Sequence, residues 1–176
     1  MNIEVEIRSF IDEEKYNNLI DFFKREGKLV KEDNQETHYF KGNEDLRIQK
    51  NNFYSKIWLK KGKIHDDARE EIEIKSDNKS FESLSKLFEI LGYEVEIKWF
   101  RDRKEFDWSG IKVTLDYTKG YGYILELEKM SDEAGKERVL EELNQKLREL
   151  EIEKTSREEF DAKFEDYKKN WKELTK

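Results

Sequence analysis

The stretch "IEVEIR" places two carboxylates on one face of a predicted strand. Its alternation has a period of two, which is typical of a β-strand with one apolar and one polar face. The apolar face carries Ile3, Val5 and Ile7, and the polar face carries Glu4, Glu6 and Arg8. Carboxylates at this spacing lie only about 7 Å apart, because a strand rises about 3.3 Å per residue. They repel at neutral pH, so the pattern indicates a positive partner.

The same Glu-x-Glu pattern recurs on two further predicted strands, at Glu71/Glu73 and at Glu126/Glu128. Alternating charge on one strand is also typical of a solvated sheet face, which explains any single occurrence equally well. Three occurrences, together with basic residues at matching spacing, favour a shared charged surface instead. These basic residues are Arg8, Arg47, Lys60, Arg69, Arg101 and Arg103.

Enclosed carboxylates and enclosed basic groups together indicate a particular ligand chemistry. Buried carboxylates are costly unless they are paired or bind a metal, and clustered ones suit the hard cations Mg²⁺ and Mn²⁺. Arginine forks match phosphate oxygens. A metal-bound polyphosphate would neutralise both sets of charges at once.

Composition excludes several other classes of protein. The chain has 176 residues, so one domain over 1–176 is expected. Its net charge of −7 disfavours nucleic acid and anionic membranes as partners. The chain has no cysteine, which excludes disulfides and thiolate zinc sites. No apolar run reaches the roughly 20 residues of a membrane span, so a cytoplasmic location is expected.

Periodicity predicts four helices and eight strands. Apolar stripes at helical spacing lie around 16–23, 81–91, 140–150 and 160–174. Strand candidates are 2–10, 29–40, 45–51, 53–61, 68–75, 94–106, 111–118 and 121–129. This order predicts an α+β fold: an eight-stranded antiparallel barrel, closed or nearly closed, with amphipathic helices packed outside. The strands would occupy about 2–129, the C-terminal helices about 132–174, and the charged faces would line the interior.

The strand motifs resemble those of the CYTH family, also called triphosphate tunnel metalloenzymes. "EVEIR" is similar to the family's opening Glu-x-Glu-x-Lys signature, and the resemblance continues in order along nearly the whole chain. The later motifs are "DLRIQK", "WLKKGK", "REEIEI", "WFRDRKEF", "VTLDY" and "GYGYILELE". The family includes class IV adenylate cyclases, thiamine triphosphatases and inorganic triphosphatases.

The resemblance implies a role for each charged position. Divalent cations would be held by Glu4, Glu6, Glu126 and Glu128. Further acidic positions, which would serve a second metal or position water, are Glu71, Glu73 and Asp116. The triphosphate would be held by Arg8, Arg47, Lys60, Arg69, Arg101 and Arg103. Lys60 is preferred to Lys61 because it shares strand parity with Lys56 and Trp58.

Two positions depart from the family pattern. Arg8 replaces the signature lysine, which keeps the charge but excludes a role as a base near neutral pH. Gln49 stands where a second arginine often follows Arg47, so one phosphate contact is weakened.

The resemblance implies a Mg²⁺- or Mn²⁺-dependent enzyme acting on a triphosphate group. Hydrolysis of tripolyphosphate, ATP or thiamine triphosphate is the first expectation, because it requires only the phosphates and a water. A class IV adenylate cyclase, forming cyclic AMP and pyrophosphate from ATP, is the alternative. A non-catalytic polyphosphate- or nucleotide-binding module is a further alternative, favoured by Arg8 and Gln49. The expected partner is a small-molecule triphosphate, with a monomer or a homodimer as the assembly.

Overall fold

The eight predicted strands and four predicted helices are present in the computed structural model, which describes residues 3–60 and 71–176. The strands are β1 (Ile3–Ile11), β2 (Lys28–Phe40), β3 (Asp45–Lys50), β4 (Ser55–Lys60), β5 (Glu71–Ser76), β6 (Val95–Trp108), β7 (Ile111–Thr118) and β8 (Gly122–Ser131). The helices are α1 (Glu13–Glu26), α2 (Phe81–Ile90), α3 (Lys136–Glu149) and α4 (Arg157–Leu174), with a short 3₁₀ turn at Asn78–Ser80. None of the described helices is long and apolar enough to span a membrane.

The strands form one sheet in the order β1-β8-β7-β6-β2-β3-β4-β5. The strand pairs with a defined register are all antiparallel. Within the described residues β1 and β5 are the two ends of this order. The predicted α+β class with an eight-stranded antiparallel sheet is therefore confirmed.

The chain divides into two compact units. Unit 1 contains the described residues 3–32 and 102–169, and unit 2 contains 33–60, 71–101 and 170–176. Strands β2 and β6 and helix α4 contribute residues to both units. The expectation of a single domain over 1–176 stays a prediction.

The core of unit 1 forms where the apolar faces of β1, β7 and β8 pack against α1 and α3. The strands contribute Val5, Ile7, Val113, Leu115, Leu125 and Leu127, and the helices contribute Tyr16, Leu19, Phe23, Val139, Leu143 and Leu147. The charged residues at the alternate positions of these strands therefore lie on the opposite face of the sheet. Packing of the apolar faces under helices is confirmed for this unit.

Helix α1 has the local signals that fix its ends. Asp12 caps its N-terminus by accepting a hydrogen bond from the backbone N–H of Lys15 at 2.7 Å. At its C-terminal end, a Cβ at Gly27 would lie 2.9 Å from the carbonyl oxygen of Asp107. Any side chain at position 27 would collide with the backbone of β6. Glycine is therefore required where the chain enters β2.

Unit 2 has a smaller core, in which Phe81 of α2 packs on Phe40 and Ile48. Here the expected coverage by helices is incomplete: Ile72 and Ile74 of β5 are 44% and 57% exposed. Helix α2 has only 10 residues and contacts β3. It is too short to cover the apolar face out to β5 as well.

Helix α2 is also connected to the sheet through a buried histidine. His38 is 3% exposed, and its Nε2 lies 2.8 Å from Oε1 of Glu36, which accepts the hydrogen bond. Its Nδ1 lies 3.4 Å from the hydroxyl of Ser85, and its ring meets that of Phe81 edge-on. The hydrogen bond from His38 lowers the pKa of Glu36 to about 2; burial opposes this and Lys50 adds to it.

Because of Glu36, the free energy of unfolding should decrease as the pH falls. Its pKa is depressed on folding, so its contribution is fully present above its ordinary pKa of about 4.5 and is lost as the pH falls towards about 2. We expect Glu36→Gln to lower the free energy of unfolding at pH 7 by on the order of 2–3 kcal/mol. Urea unfolding of both proteins between pH 7 and pH 2.5 should show this difference shrinking with acid. Glu82→Gln removes an 80%-exposed partner of Lys50 and serves as the control; a Glu36→Gln difference that is constant with pH would contradict the prediction.

Candidate functional site

The register of unit 1 places four of the predicted site residues in two rows across β1, β8 and β7, whereas Glu4 lies opposite Met130. Glu6 lies directly opposite Glu128, which in turn lies opposite Lys112. We call these three residues the glutamate row. Side chains in directly opposite positions have Cβ atoms about 4.5–5.5 Å apart. Two predicted metal ligands from different strands are thus neighbours.

The second row lies two residues further along each strand. Arg8 is opposite Glu126, and Glu126 is opposite Thr114. We call these three residues the arginine row. A predicted phosphate ligand and a predicted metal ligand are therefore adjacent. This is the order of charges that a metal-bound phosphate would need.

Within the glutamate row, Glu128 is paired with Lys112. Glu128 is only 8% exposed, and the Nζ of Lys112 donates a hydrogen bond to its Oε2 at 2.7 Å. Burial alone would lower the pKa of Lys112, but the hydrogen bond to Glu128 and the charges of Glu128, Glu105 and Glu126 raise it above its ordinary value. Lys112 is therefore held in its charged form beside three carboxylates.

Arg8 has an aromatic partner on α4. Its guanidinium carbon lies 5.0 Å from the centroid of the Phe160 ring, and Phe160 stacks on Phe10 at 4.3 Å. The start of α4 is positioned by Thr155, whose hydroxyl accepts from the backbone N–H of Phe10 at 2.9 Å. A planar guanidinium stacks on a ring in a way that an ammonium does not. Arg8, which replaces the family's lysine, thus has an aromatic ring to stack on.

Arg103 and Asp116 bind each other in a two-pronged ion pair. The Nε and one terminal nitrogen of Arg103 donate to the two carboxylate oxygens of Asp116 at 2.8 and 2.7 Å. The side chains are 19% and 6% exposed. Burial alone would lower the pKa of Arg103, but Asp116 raises it above its ordinary value. A predicted phosphate ligand and a predicted acidic site residue are therefore already paired.

Unit 2 contains further described members of the predicted set, beginning with Arg47. Its Nε donates to Asp45 at 2.6 Å, and its guanidinium lies over the rings of Tyr39 and Trp58 at 4.3 and 4.8 Å. Gln49, two residues further along β3, donates to the hydroxyl of Thr37 at 2.9 Å. The second departure from the family pattern is thus part of a neutral hydrogen bond.

Glu73 is paired with two lysines in the same unit. Lys56 donates to it at 2.7 Å and Lys75 lies at 3.1 Å. The hydrogen bond with Lys56 is the main reason why the pKa of Glu73 lies below its ordinary value. On β6, the guanidinium of Arg101 lies 5.6 Å from the centroid of the Trp99 ring.

Three predicted positions can be placed only in part or not at all. Lys60 and Glu71 are backbone partners between β4 and β5. Their side chains lie outside the described part of the structure, as does the whole of Arg69. The competing Lys61 also lies outside it.

The carboxylate and hydroxyl oxygens of unit 1 are of the type that binds a hard cation. Within the described residues they are not already grouped as a metal site. Among residues 3–60 and 71–176, no three His, Asp or Glu side chains lie together in an arrangement that could hold a metal ion. The hydroxyl of Thr114 is buried, and within this part of the chain it has no hydrogen-bond partner. Thr114 lies opposite Glu126, so an oxygen atom without a partner borders the predicted carboxylates. Hard cations bind carboxylate oxygens, and Mg²⁺ also binds the hydroxyl of serine or threonine.

Sequence reasoning missed the residues that neutralise or position the predicted site. These are Asp45, Lys112, Thr114 and Phe160. For Lys112 a signal was present, because it shares strand parity with Asp116 in "IKVTLD". For Phe160 there was none, since nothing in the sequence links α4 to β1.

Solved structures show the same fold. A Pyrococcus horikoshii protein matches with a TM-score of 0.67 at 23% identity, over 88% of this chain and 94% of its own. A Hippeastrum protein, described as a "putative adenylyl cyclase" with a dominant triphosphatase activity, matches with a TM-score of 0.62 at 20% identity, over 89% and 93% of the two chains. These likenesses establish the α+β architecture.

The sequence comparisons identify the family. The model of the CYTH domain matches residues 2–162. A protein of Methanocaldococcus jannaschii named "Putative adenylate cyclase" is 35% identical over 166 residues, covering 86% of this chain and 91% of the relative. The chain belongs to the CYTH family, as its strand motifs indicate.

Proposed function

We propose that this protein is a divalent-metal-dependent triphosphatase. The observation that carries the proposal is the register of β1 and β8, which places Glu6 opposite Glu128 and Arg8 opposite Glu126. Like charges in directly opposite positions are destabilising unless a cation lies between them. Two opposite glutamates beside an arginine suit a site that binds a cation and an anion together.

The residues of unit 1 divide into two roles. Glu4, Glu6, Glu126 and Glu128 would hold Mg²⁺ or Mn²⁺, which would neutralise the phosphate oxygens and polarise the phosphorus. Arg8 would hold a phosphate oxygen, since it is an exposed residue at the end of the arginine row. The roles implied for Arg47, Lys60, Arg69, Glu71, Glu73 and Arg101 stay predictions.

Hydrolysis is preferred because a water nucleophile needs no oriented nucleoside. Positioning and charge neutralisation do most of the work in phosphoryl transfer, and this chain offers both kinds of group. The dominant triphosphatase activity described for the Hippeastrum structural relative is consistent with this choice. The second candidate is an adenylate cyclase, favoured by the name of the relative that is 35% identical.

The test measures the products formed from tripolyphosphate and from ATP. The full chain is incubated with each substrate and Mg²⁺ or Mn²⁺, and orthophosphate, pyrophosphate and cyclic AMP are quantified, with EDTA as the control. We expect phosphate release that requires the metal, without cyclic AMP. Cyclic AMP with equimolar pyrophosphate would establish the cyclase instead. If both substrates and thiamine triphosphate bind without turnover, the protein is a binding module and the proposal is wrong.

A further inference from the structure

Lys112 occupies the place of a cation in the predicted metal site. It lies on β7 directly opposite Glu128, which lies opposite Glu6. Its ammonium binds Glu128 at 2.7 Å, although no functional role is implied for this residue by the family motifs. The negative charges of Glu105 and Glu126 also favour the protonated form of Lys112. The ammonium therefore supplies a positive charge directly to Glu128 in the described structure.

The two side chains of this pair differ in their solvent exposure. Glu128 is buried, with its side chain 11% exposed, whereas the side chain of Lys112 is 47% exposed. Lysine has a flexible four-carbon stem and a strongly hydrated ammonium, so it gives up an ion pair to solvent readily. Its ammonium and a divalent cation cannot both be close to the same oxygen without repulsion. A metal that binds Glu128 through Oε2, alone or together with Oε1, therefore has to displace Lys112.

We propose that Lys112 is the internal counter-cation of the metal site. It neutralises Glu128 when no metal is bound, and it is displaced when a divalent cation binds. The proposal rests on the metal-dependent function proposed above and extends it. Its consequence is that Lys112 weakens the binding of the free metal ion. A metal that enters together with a triphosphate is favoured, because the phosphate oxygens offer the displaced ammonium a new partner.

Two other ion pairs of unit 1 differ from that of Lys112 and Glu128. Arg103 and Asp116 bind through two parallel hydrogen bonds and are both largely buried, so this pair is poorly suited to exchange. Lys129 binds Glu142 at 2.6 Å, with side chains 30% and 37% exposed, but Glu142 lies on α3 and is not a predicted ligand. Lys129 is therefore a matched control for the loss of one lysine ion pair.

The test measures binding of Mn²⁺ alone to the full chain, without substrate. Free Mn²⁺ is followed by electron paramagnetic resonance in titrations of the wild type, Lys112→Met, Lys112→Arg and Lys129→Met. We expect Lys112→Met to bind Mn²⁺ roughly tenfold more tightly or better, because a charge-assisted hydrogen bond no longer has to be broken. Lys112→Arg, which keeps the charge, and Lys129→Met should bind like the wild type. Equal or weaker Mn²⁺ binding by Lys112→Met would overturn the proposal.

A thermal measurement provides a second readout. In EDTA, Lys112→Met should have a lower Tm than the wild type, because Glu128 loses its counter-charge. Added Mn²⁺ should then raise its Tm by more than it raises that of the wild type. Lys112→Gln, which retains a hydrogen-bond donor without the charge, replaces the methionine variant if that one does not fold. An equal Mn²⁺-induced shift in all variants would also overturn the proposal.

Failure of this inference is distinguishable from failure of the proposed function. If Lys112→Met binds Mn²⁺ as the wild type does while phosphate release still requires the metal, only the role of Lys112 is wrong. If neither protein binds Mn²⁺ or depends on it for turnover, the metal-dependent function is wrong and the inference fails with it.

Discussion

Glu6→Gln should lower metal-dependent phosphate release on the order of 100-fold or more while the protein keeps its fold. Glutamine has almost the same shape but no charge, so a predicted metal ligand is weakened without a change in packing. Mutation of groups that merely support metal ligands already costs about 10–100-fold, and a ligand itself should cost at least as much. Glu6 is exposed, and its neighbours Val5 and Ile7 fill the core of unit 1, so the free energy of unfolding should change little.

The measurement is kcat/KM for tripolyphosphate over a series of Mg²⁺ concentrations. Loss of a metal ligand should raise the Mg²⁺ concentration that gives half-maximal turnover as well as lowering the rate. Glu142→Gln is the matched control, because it removes one carboxylate of the same unit from the helical side of the sheet. If Glu6→Gln turned over like this control at every Mg²⁺ concentration, Glu6 would not be part of the site.

The elements of the fold follow closely from local patterns in the sequence. Strand β1 is an example: Ile3, Val5 and Ile7 alternate with charged residues, and the structure places Val5 and Ile7 in the core against α1 and α3. Such alternation determines which residues share a face, because successive side chains of a strand point to opposite sides. The predicted division into an apolar and a charged face therefore holds for β1, β7 and β8.

Local alternation in the sequence does not indicate which strands lie next to each other in the sheet. Alternation indicates that Glu6 and Glu128 lie on polar faces, but not that they are opposite each other. That pairing depends on β8 lying between β1 and β7, which joins the first strand to the last. The central feature of the candidate site is therefore a consequence of topology, which no local window of the sequence contains.

The ion-pair partners of the predicted site residues could not be predicted from the sequence either. The chain has 35 basic and 42 acidic residues, so almost any predicted site residue has several candidate partners. Lys112 becomes distinctive only because the register of β7 and β8 places it within hydrogen-bond distance of Glu128. Asp45 becomes distinctive because its side chain, on the same face of β3 as Arg47, accepts a hydrogen bond from that guanidinium. Coverage by helices was also overestimated, since a short α2 leaves Ile72 and Ile74 exposed.

Arg103→Met should destabilise the protein by about 3–5 kcal/mol, which is the usual cost of removing one partner from a buried ion pair. Asp116 is only 5% exposed, and it would lose the guanidinium that binds both of its oxygens. The double variant Arg103→Met/Asp116→Leu should recover most of this loss, because both charges are then absent from the interior. Urea unfolding of the wild type, the two single variants and the double variant gives the coupling energy of the pair.

The same double variant separates stability from function. If Arg103 and Asp116 act on the triphosphate, as the family motifs imply, the double variant should be folded and nearly as stable as the wild type but should release little phosphate. Restored turnover together with restored stability would show that the pair is structural, and both residues would leave the candidate site. A coupling energy near zero would instead contradict the ion pair itself, since two groups that bind each other through 2.8 and 2.7 Å hydrogen bonds must respond to each other's removal.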